Sequence, residues 1–275
     1  MNNFFAAFVI LLFGWIIFST VTSSESKDQP DTKDEKSQSE EYIFERFLER
    51  EGADSATLEL EMTAGELLLS SGTTGLLDSY VTYRRSEFEP ELNISDEHSG
   101  HPHISLKHKR DAISSTFHWG SNNSSRNKWD LKLNPDIRYD LDINAGLGKS
   151  KLDLADTRIG TFRLRTGVSS ADVDLRNTSV SDLDLKTGVG SVTLDLSGER
   201  QNDLVADISG GVGSVIIKVP SEYGVRFRAS GLGSITADGF YREGRFHKND
   251  LYGETDYNID IDIAGGIGSV EVVML

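Results

Sequence analysis

The chain contains no cysteine in its 275 residues. That absence excludes disulfide bonds, a cysteine nucleophile, a zinc–thiolate centre and a lipoprotein-type lipidated cysteine. Basic side chains are also scarce: 28 Lys and Arg stand against 44 Asp and Glu, a formal charge of −16. Phosphate backbones and anionic headgroups are held by clustered Lys and Arg, so neither nucleic acid nor electrostatic adsorption to lipid is expected. What remains is ordinary for a folded protein, with 37% hydrophobic and 26% charged residues. The length suits one large domain or two modest ones.

One uncharged apolar run stands at the start, Phe4 to Phe18, extending through Ser19, Thr20 and Val21. At about 1.5 Å per helical residue, a stretch of about 18 residues just crosses a hydrocarbon core of about 30 Å. Residues 1–21 therefore read as a transmembrane anchor or as a signal peptide cleaved near Val21-Thr22-Ser23. Met1-Asn2-Asn3 lacks the basic residues of a secretory n-region, which favours the anchor. Lys27, Lys33 and Lys36 follow the run but are interleaved with acids. By the positive-inside rule these lysines would keep the following chain cytoplasmic. A lone N-terminal segment before a folded domain more often sends that domain outside. An extracytoplasmic placement is the expectation, or secretion if the segment is cleaved, with the side left open. Residues 22–41 are polar and read as a disordered linker. In 42–51, Ile43/Phe47 and Phe44/Leu48 are four residues apart, a spacing that predicts a short amphipathic helix.

The C-terminal half repeats a Gly-aliphatic-Gly-Ser element. Its members begin at Gly146 (with Gly148), Gly167, Gly188 (with Gly190), Gly211 (with Gly213), Gly231 (with Gly233) and Gly266 (with Gly268). Successive first glycines lie 21, 21, 23, 20 and 35 residues apart. Around them the pattern alternates, as in Leu152-Asp153-Leu154, Leu183-Asp184-Leu185 and Ile259-Asp260-Ile261-Asp262-Ile263. Period two turns aliphatics to a core and aspartates to water, while glycine permits positive φ or close backbone approach. The repeats predict an all-β, β-solenoid-like stack of short strand-turn-strand coils with a period of about 21 residues.

The 35-residue interval exceeds one coil by about 14 residues and concentrates aromatic and basic side chains. Phe240, Tyr241, Arg242, Arg245, Phe246 and Tyr252 are the residues named for a partner-contact loop, since Tyr, Phe and Arg anchor interfaces. A plain hairpin packing its rings on the last coils is the structural alternative. The region before the repeats is looser. Leu58-Glu59-Leu60-Glu61-Met62 alternates, Thr63-Ala64-Gly65-Glu66-Leu67 parallels the glycine element, and Ser121-Asn122-Asn123-Ser124-Ser125 marks a boundary between a module at 52–120 and repeats at 127–275.

Thr63-Ala64-Gly65-Glu66-Leu67 followed by Leu76-Leu77 resembles the N-terminal module of the bacterial toast-rack proteins. Asn127 to Pro135, leading into Leu141-Asp142-Ile143-Asn144-Ala145-Gly146-Leu147-Gly148, is similar to the start of their C-terminal repeats, shared with LiaF-like cell-wall stress proteins. The resemblance spans Leu58 to the C-terminus. It implies a β-solenoid-like fold, a bacterial source, membrane attachment and, for LiaF-like members, restraint of an envelope-stress histidine kinase. LiaF-like proteins carry several membrane helices where this chain has one candidate. The family supplies no catalytic residues.

Familiar chemistries fit poorly. Gly210 to Val215 has Val215 where a calcium roll needs Asp. Gly146-x-Gly148 lacks the third glycine of a dinucleotide loop, and Gly167-Val168-Ser169-Ser170-Ala171 lacks the final glycine of a nucleophile elbow. His98, His101, His103 and His108 cluster without an evident carboxylate partner, so no metal is assigned. Facing carboxylates, as in solenoid enzymes acting on polysaccharide, are the least favoured reading. The expectation is a non-catalytic, cofactor-free, membrane-tethered interaction or scaffold protein of the bacterial envelope, with a protein partner such as a sensor kinase. The alternative is a structural or adhesive module binding cell-wall glycan, marked by a row of exposed aromatics; Trp119 and Trp129 lie outside the repeats.

Overall fold

The computed structural model describes residues 40–84, 86–109 and 127–275, without the side chain of residue 87. The anchor or signal segment 1–21, nearly all of the linker 22–41, Trp119 and the Ser121–Ser125 tract lie outside the described residues. Among those described, no helix is long and apolar enough to cross a membrane. Within the unit from Ser39 to Leu275, the described residues are all-β apart from one 3-10 turn at Ser86–Phe88.

Seven strands form the frame: β2 (Ser55–Ser71), β7 (Arg138–Asp153), β8 (Arg158–Asp174), β9 (Asp182–Asp195), β10 (Leu204–Val219), β11 (Gly224–Thr236) and β14 (Asn258–Met274). All pair in parallel, in the spatial order β2-β7-β8-β9-β10-β14-β11. The expected coils are present, but each strand runs for 13 to 17 residues straight through its glycine element. The glycines are corners inside long strands rather than turns between short ones.

The side-chain parity records the corner. In β9, Leu183 and Leu185 are buried and then Val192 and Leu194; in β10, Ala206 and Ile208 and then Val215 and Ile217. The step from Leu185 to Val192 is odd, so a straight strand would bury only one set. Each strand therefore folds over the core as two arms. Glycines align at this corner, with Gly65, Gly148, Ser169, Gly190, Gly213, Gly268 and Gly233 in one register column. Gly213 sits at φ +146°, and a Cβ there would fall on the carbonyl oxygen of Gly190.

A second periodic element closes three successive coils. Leu154, Leu175 and Leu196 are buried, and two residues later Asp156 (φ 60°), Asn177 (φ 57°) and Gly198 (φ 89°) adopt the left-handed conformation. Asn177 Nδ2 donates to Asp156 Oδ1 at 2.8 Å, and the Glu199 amide donates to Asn177 Oδ1 at 2.8 Å. This ladder ties successive return loops together, and residues that tolerate φ > 0 supply it.

The long interval is a strand insertion. β14 pairs with β10 on one side and β11 on the other, so the last strand of the chain lies between two earlier ones. Of the intervening residues, β12 (Tyr241–Glu243) and β13 (Phe246–Lys248) form a hairpin on the first arm of β11 through Arg226↔Lys248 and Phe227↔His247.

At the opposite end, β5 (His103–His108) and β4 (Pro90–Ser95) extend the first arm of β2. β6 (Lys128–Leu133), β3 (Leu77–Tyr83) and β1 (Tyr42–Leu48) extend its second arm. The helix expected at 42–51 is instead the edge strand β1, antiparallel to β3. Residues four apart share a face in a strand as well as in a helix, and Tyr42, Ile43, Phe44 and Phe47 favour the strand.

Gly213→Ala is expected to lower unfolding free energy by about 2 kcal/mol or more, because backbone must move. Gly210, outside the left-handed region, offers a Cβ ordinary contacts at 3.7 Å to Thr187 Cγ2 and Val215 Cγ2. Gly210→Ala is expected to raise it by up to about 1 kcal/mol. Urea denaturation of the two variants checks the contrast.

Candidate functional site

The corner produces an outward row. In register run Ala64, Leu147, Val168, Val189, Val212, Ile267 and Leu232. Val168, Val189, Val212, Ile267 and Leu232 are all exposed, Leu232 most at 76%. These are the aliphatic positions of the repeated element, thrown to the surface because the inner side of the corner is filled by backbone. Adjacent strands lie about 4.8 Å apart, so the five exposed side chains span about 19 Å. Beside them Ser170, Ser191, Ser214, Ser269 and Ser234 form a parallel row. The ridge is apolar, uncharged and rigidly spaced, an uncommon surface on a chain this acidic.

The six residues named for a contact loop divide by role. Arg226 Nε donates to Asp260 Oδ1 at 2.6 Å, and its guanidinium lies 4.6 Å from the ring centres of both Phe246 and Tyr252. Tyr252 Oη donates to the same carboxylate at 2.9 Å. Phe240 packs edge-on against buried Phe227 at 5.2 Å. Phe240, Phe246 and Tyr252 thus fasten the hairpin to the stack. Tyr241, Arg242 and Arg245 are exposed, yet Arg242 Nε donates to the Gly244 carbonyl, Arg245 lies over Phe246, and Lys248 lies over Tyr241.

The four histidines do not converge. His98 faces Glu51 at 3.2 Å, and His103 faces Glu59 at 3.7 Å. Both ring nitrogens of His101 meet hydroxyls, Ser55 Oγ at 2.7 Å and Thr57 Oγ1 at 2.9 Å, leaving none for an orienting carboxylate. His108 is buried, accepts from the Thr63 amide at 3.1 Å and meets the Trp129 ring edge-on. Among the described residues no group of three His, Asp or Glu could hold a metal ion.

A second surface lies on β1, β3 and β6. The register rows Glu45–Tyr80–Asp130 and Phe47–Asp78–Lys132 put two exposed rings among three carboxylates and an ammonium, lining a shallow groove. Trp129, by contrast, is fully buried.

The family described as the N-terminal domain of toast_rack, DUF2154, matches residues 31–178 and again 161–218. The chain belongs to this family. Among curated proteins nothing matches. A candidate cell adhesion protein from Clostridium sporogenes is similar in structure, with 25% identity and a TM-score of 0.59 over 86% of this chain and 99% of that one. A candidate adhesin from Parabacteroides merdae aligns over 86% of this chain and 97% of its own, at 12% identity and a TM-score of 0.34.

Burial pushes the His108 imidazole down to about 4 from its usual 6.5, opposed in part by its bond to Asn127. An unfolded chain takes up this proton below pH 6.5, whereas the folded chain does so only near pH 4. The neutral ring's contribution is therefore complete above pH 6.5 and is lost as pH falls toward 4, amounting to about 3 kcal/mol. Urea titrations across that window are expected to show the loss, and His108→Gln to flatten it.

Proposed function

We propose that the chain is a non-catalytic structural or adhesive module held at the bacterial cell envelope, whose stack presents the aliphatic ridge to a protein partner. The observation behind this reading is the ridge itself, with Val168, Val189, Val212, Ile267 and Leu232 in one exposed line. Membership of the toast-rack family and likeness to a candidate cell adhesion protein support it. An N-terminal tether and an envelope sensor kinase as partner are the finer form of the proposal. The kinase follows from the sequence resemblance alone. Burying five branched side chains on a preformed surface favours association without the ordering cost of a mobile loop.

A second reading rests on the β1–β3–β6 groove. Exposed Phe47 and Tyr80 beside Asp78 and Asp130 suit a sugar, whose ring faces stack on aromatics and whose hydroxyls donate to carboxylates.

Capture from bacterial membranes is expected to return a specific partner with the unsubstituted chain and to lose it with Val189→Asp/Val212→Asp. Retention by that variant but loss on replacing residues 240–257 moves the site to the hairpin; no specific partner in any sample contradicts the proposal. Retention on peptidoglycan that Tyr80→Ala lowers at least tenfold is the outcome expected of the glycan reading.

A further inference from the structure

The stack ends unequally. At its C-terminal end the first arm of β11 is covered, since β13 pairs with it and His247 stacks on Phe227 at 4.8 Å. The second arm, Leu232–Thr236, pairs with β14 on one side and has no strand on the other among the described residues. Ile235 occupies the inward position, in register with Val270 and Val215, yet is 45% exposed because no further coil covers it. Ile235 itself lines a mainly apolar hollow, together with Val215, Ala229, Val270 and the glycines Gly210 and Gly265. A repeat stack normally closes such an end with a polar cap.

The other outer edges are defended against further pairing. β4 begins at Pro90 and carries Glu91, β1 carries Glu45 and Arg46, and β12 is three residues long with Arg242 and Glu243. Proline, charge and brevity are the usual devices that stop one sheet from adding to another. Ser230-Gly231-Leu232-Gly233-Ser234-Ile235-Thr236 has neither charge nor proline.

We propose that two copies of this chain join across a two-fold axis, with Leu232–Thr236 of one paired antiparallel to Leu232–Thr236 of the other. Two-fold symmetry sets the same segment against itself, so a charged residue near the axis would face its own like; this edge has none. Each partner supplies the missing strand, satisfies the outward amides and carbonyls, and turns its Ile235 to the same side as the other's, closing both hollows. Leu232 also belongs to the ridge, so Ser234 and Ile235 are the positions that separate this contact from ridge binding.

The absence of cysteine makes the test clean. Sedimentation of the Ser39–Leu275 unit is expected to give a dimer, and Ser234→Cys under mild oxidation a single disulfide-linked dimer. Ser191→Cys, equally outward at mid-stack, is expected to give none. Ile235→Lys is expected to sediment as a monomer while melting within a few degrees of the parent, and the Val189→Asp/Val212→Asp chain to stay dimeric. A monomeric parent, or an Ile235→Lys chain that remains dimeric, overturns the proposal. So does a ladder of linked oligomers from Ser234→Cys/Glu45→Cys, which marks head-to-tail stacking.

Discussion

At the glycine corners of the stack a backbone carbonyl of the neighbouring strand occupies the space that a Cβ would need; Ser169 is the one side chain in that column. Gly190 against Ser169, Gly213 against Gly190, Gly268 against Gly213 and Gly233 against Gly268 repeat this contact down one column. Close approach lets a single strand bend through the corner without leaving its ladder, so hydrogen bonding continues on both sides. The bend reverses which parity faces inward, and that reversal lets each strand wrap a shared core. It also leaves no interior room for the residue between the glycines. Val168, Val189, Val212, Ile267 and Leu232 are consequently exposed, so the same constraint makes the core and the surface proposed for binding.

Charge contributes less. Arg226–Asp260 and Arg165–Asp142 lie on partly exposed outer faces, where such pairs are worth little. The larger effect at the C-terminal end is topological. By entering between β10 and β11, β14 makes β11 the outermost long strand, and the hairpin that links them covers only its first arm. The uncovered Ile235 follows from that order of strands.

Much of this was legible in the residues. The glycine spacing gave the coils, and the Leu-Asp-Leu alternation gave the two faces. The odd step from Leu185 to Val192 also holds the corner and the outward Val189. The return-loop ladder also has a sequence signature, since Leu154-Ala155-Asp156-Thr157 and Leu175-Arg176-Asn177-Thr178 are a second repeat 21 residues apart. Strand order was not legible, because β11 and β14 carry equivalent patterns and either could lie beside β10. The 35-residue interval showed that something was inserted, but not where the chain returned. Ile43/Phe47 and Phe44/Leu48 misled because a separation of four suits both periods.

The strand order is the claim on which the corner ridge, the hairpin cap and the open second arm together depend. Amide nuclear Overhauser contacts in an isotope-labelled Ser39–Leu275 unit test it directly. The structure requires contacts from Val212–Val215 to Ile267–Val270 and from Ile267–Val270 to Leu232–Ile235. Direct contacts between Val212–Val215 and Leu232–Ile235 would contradict it.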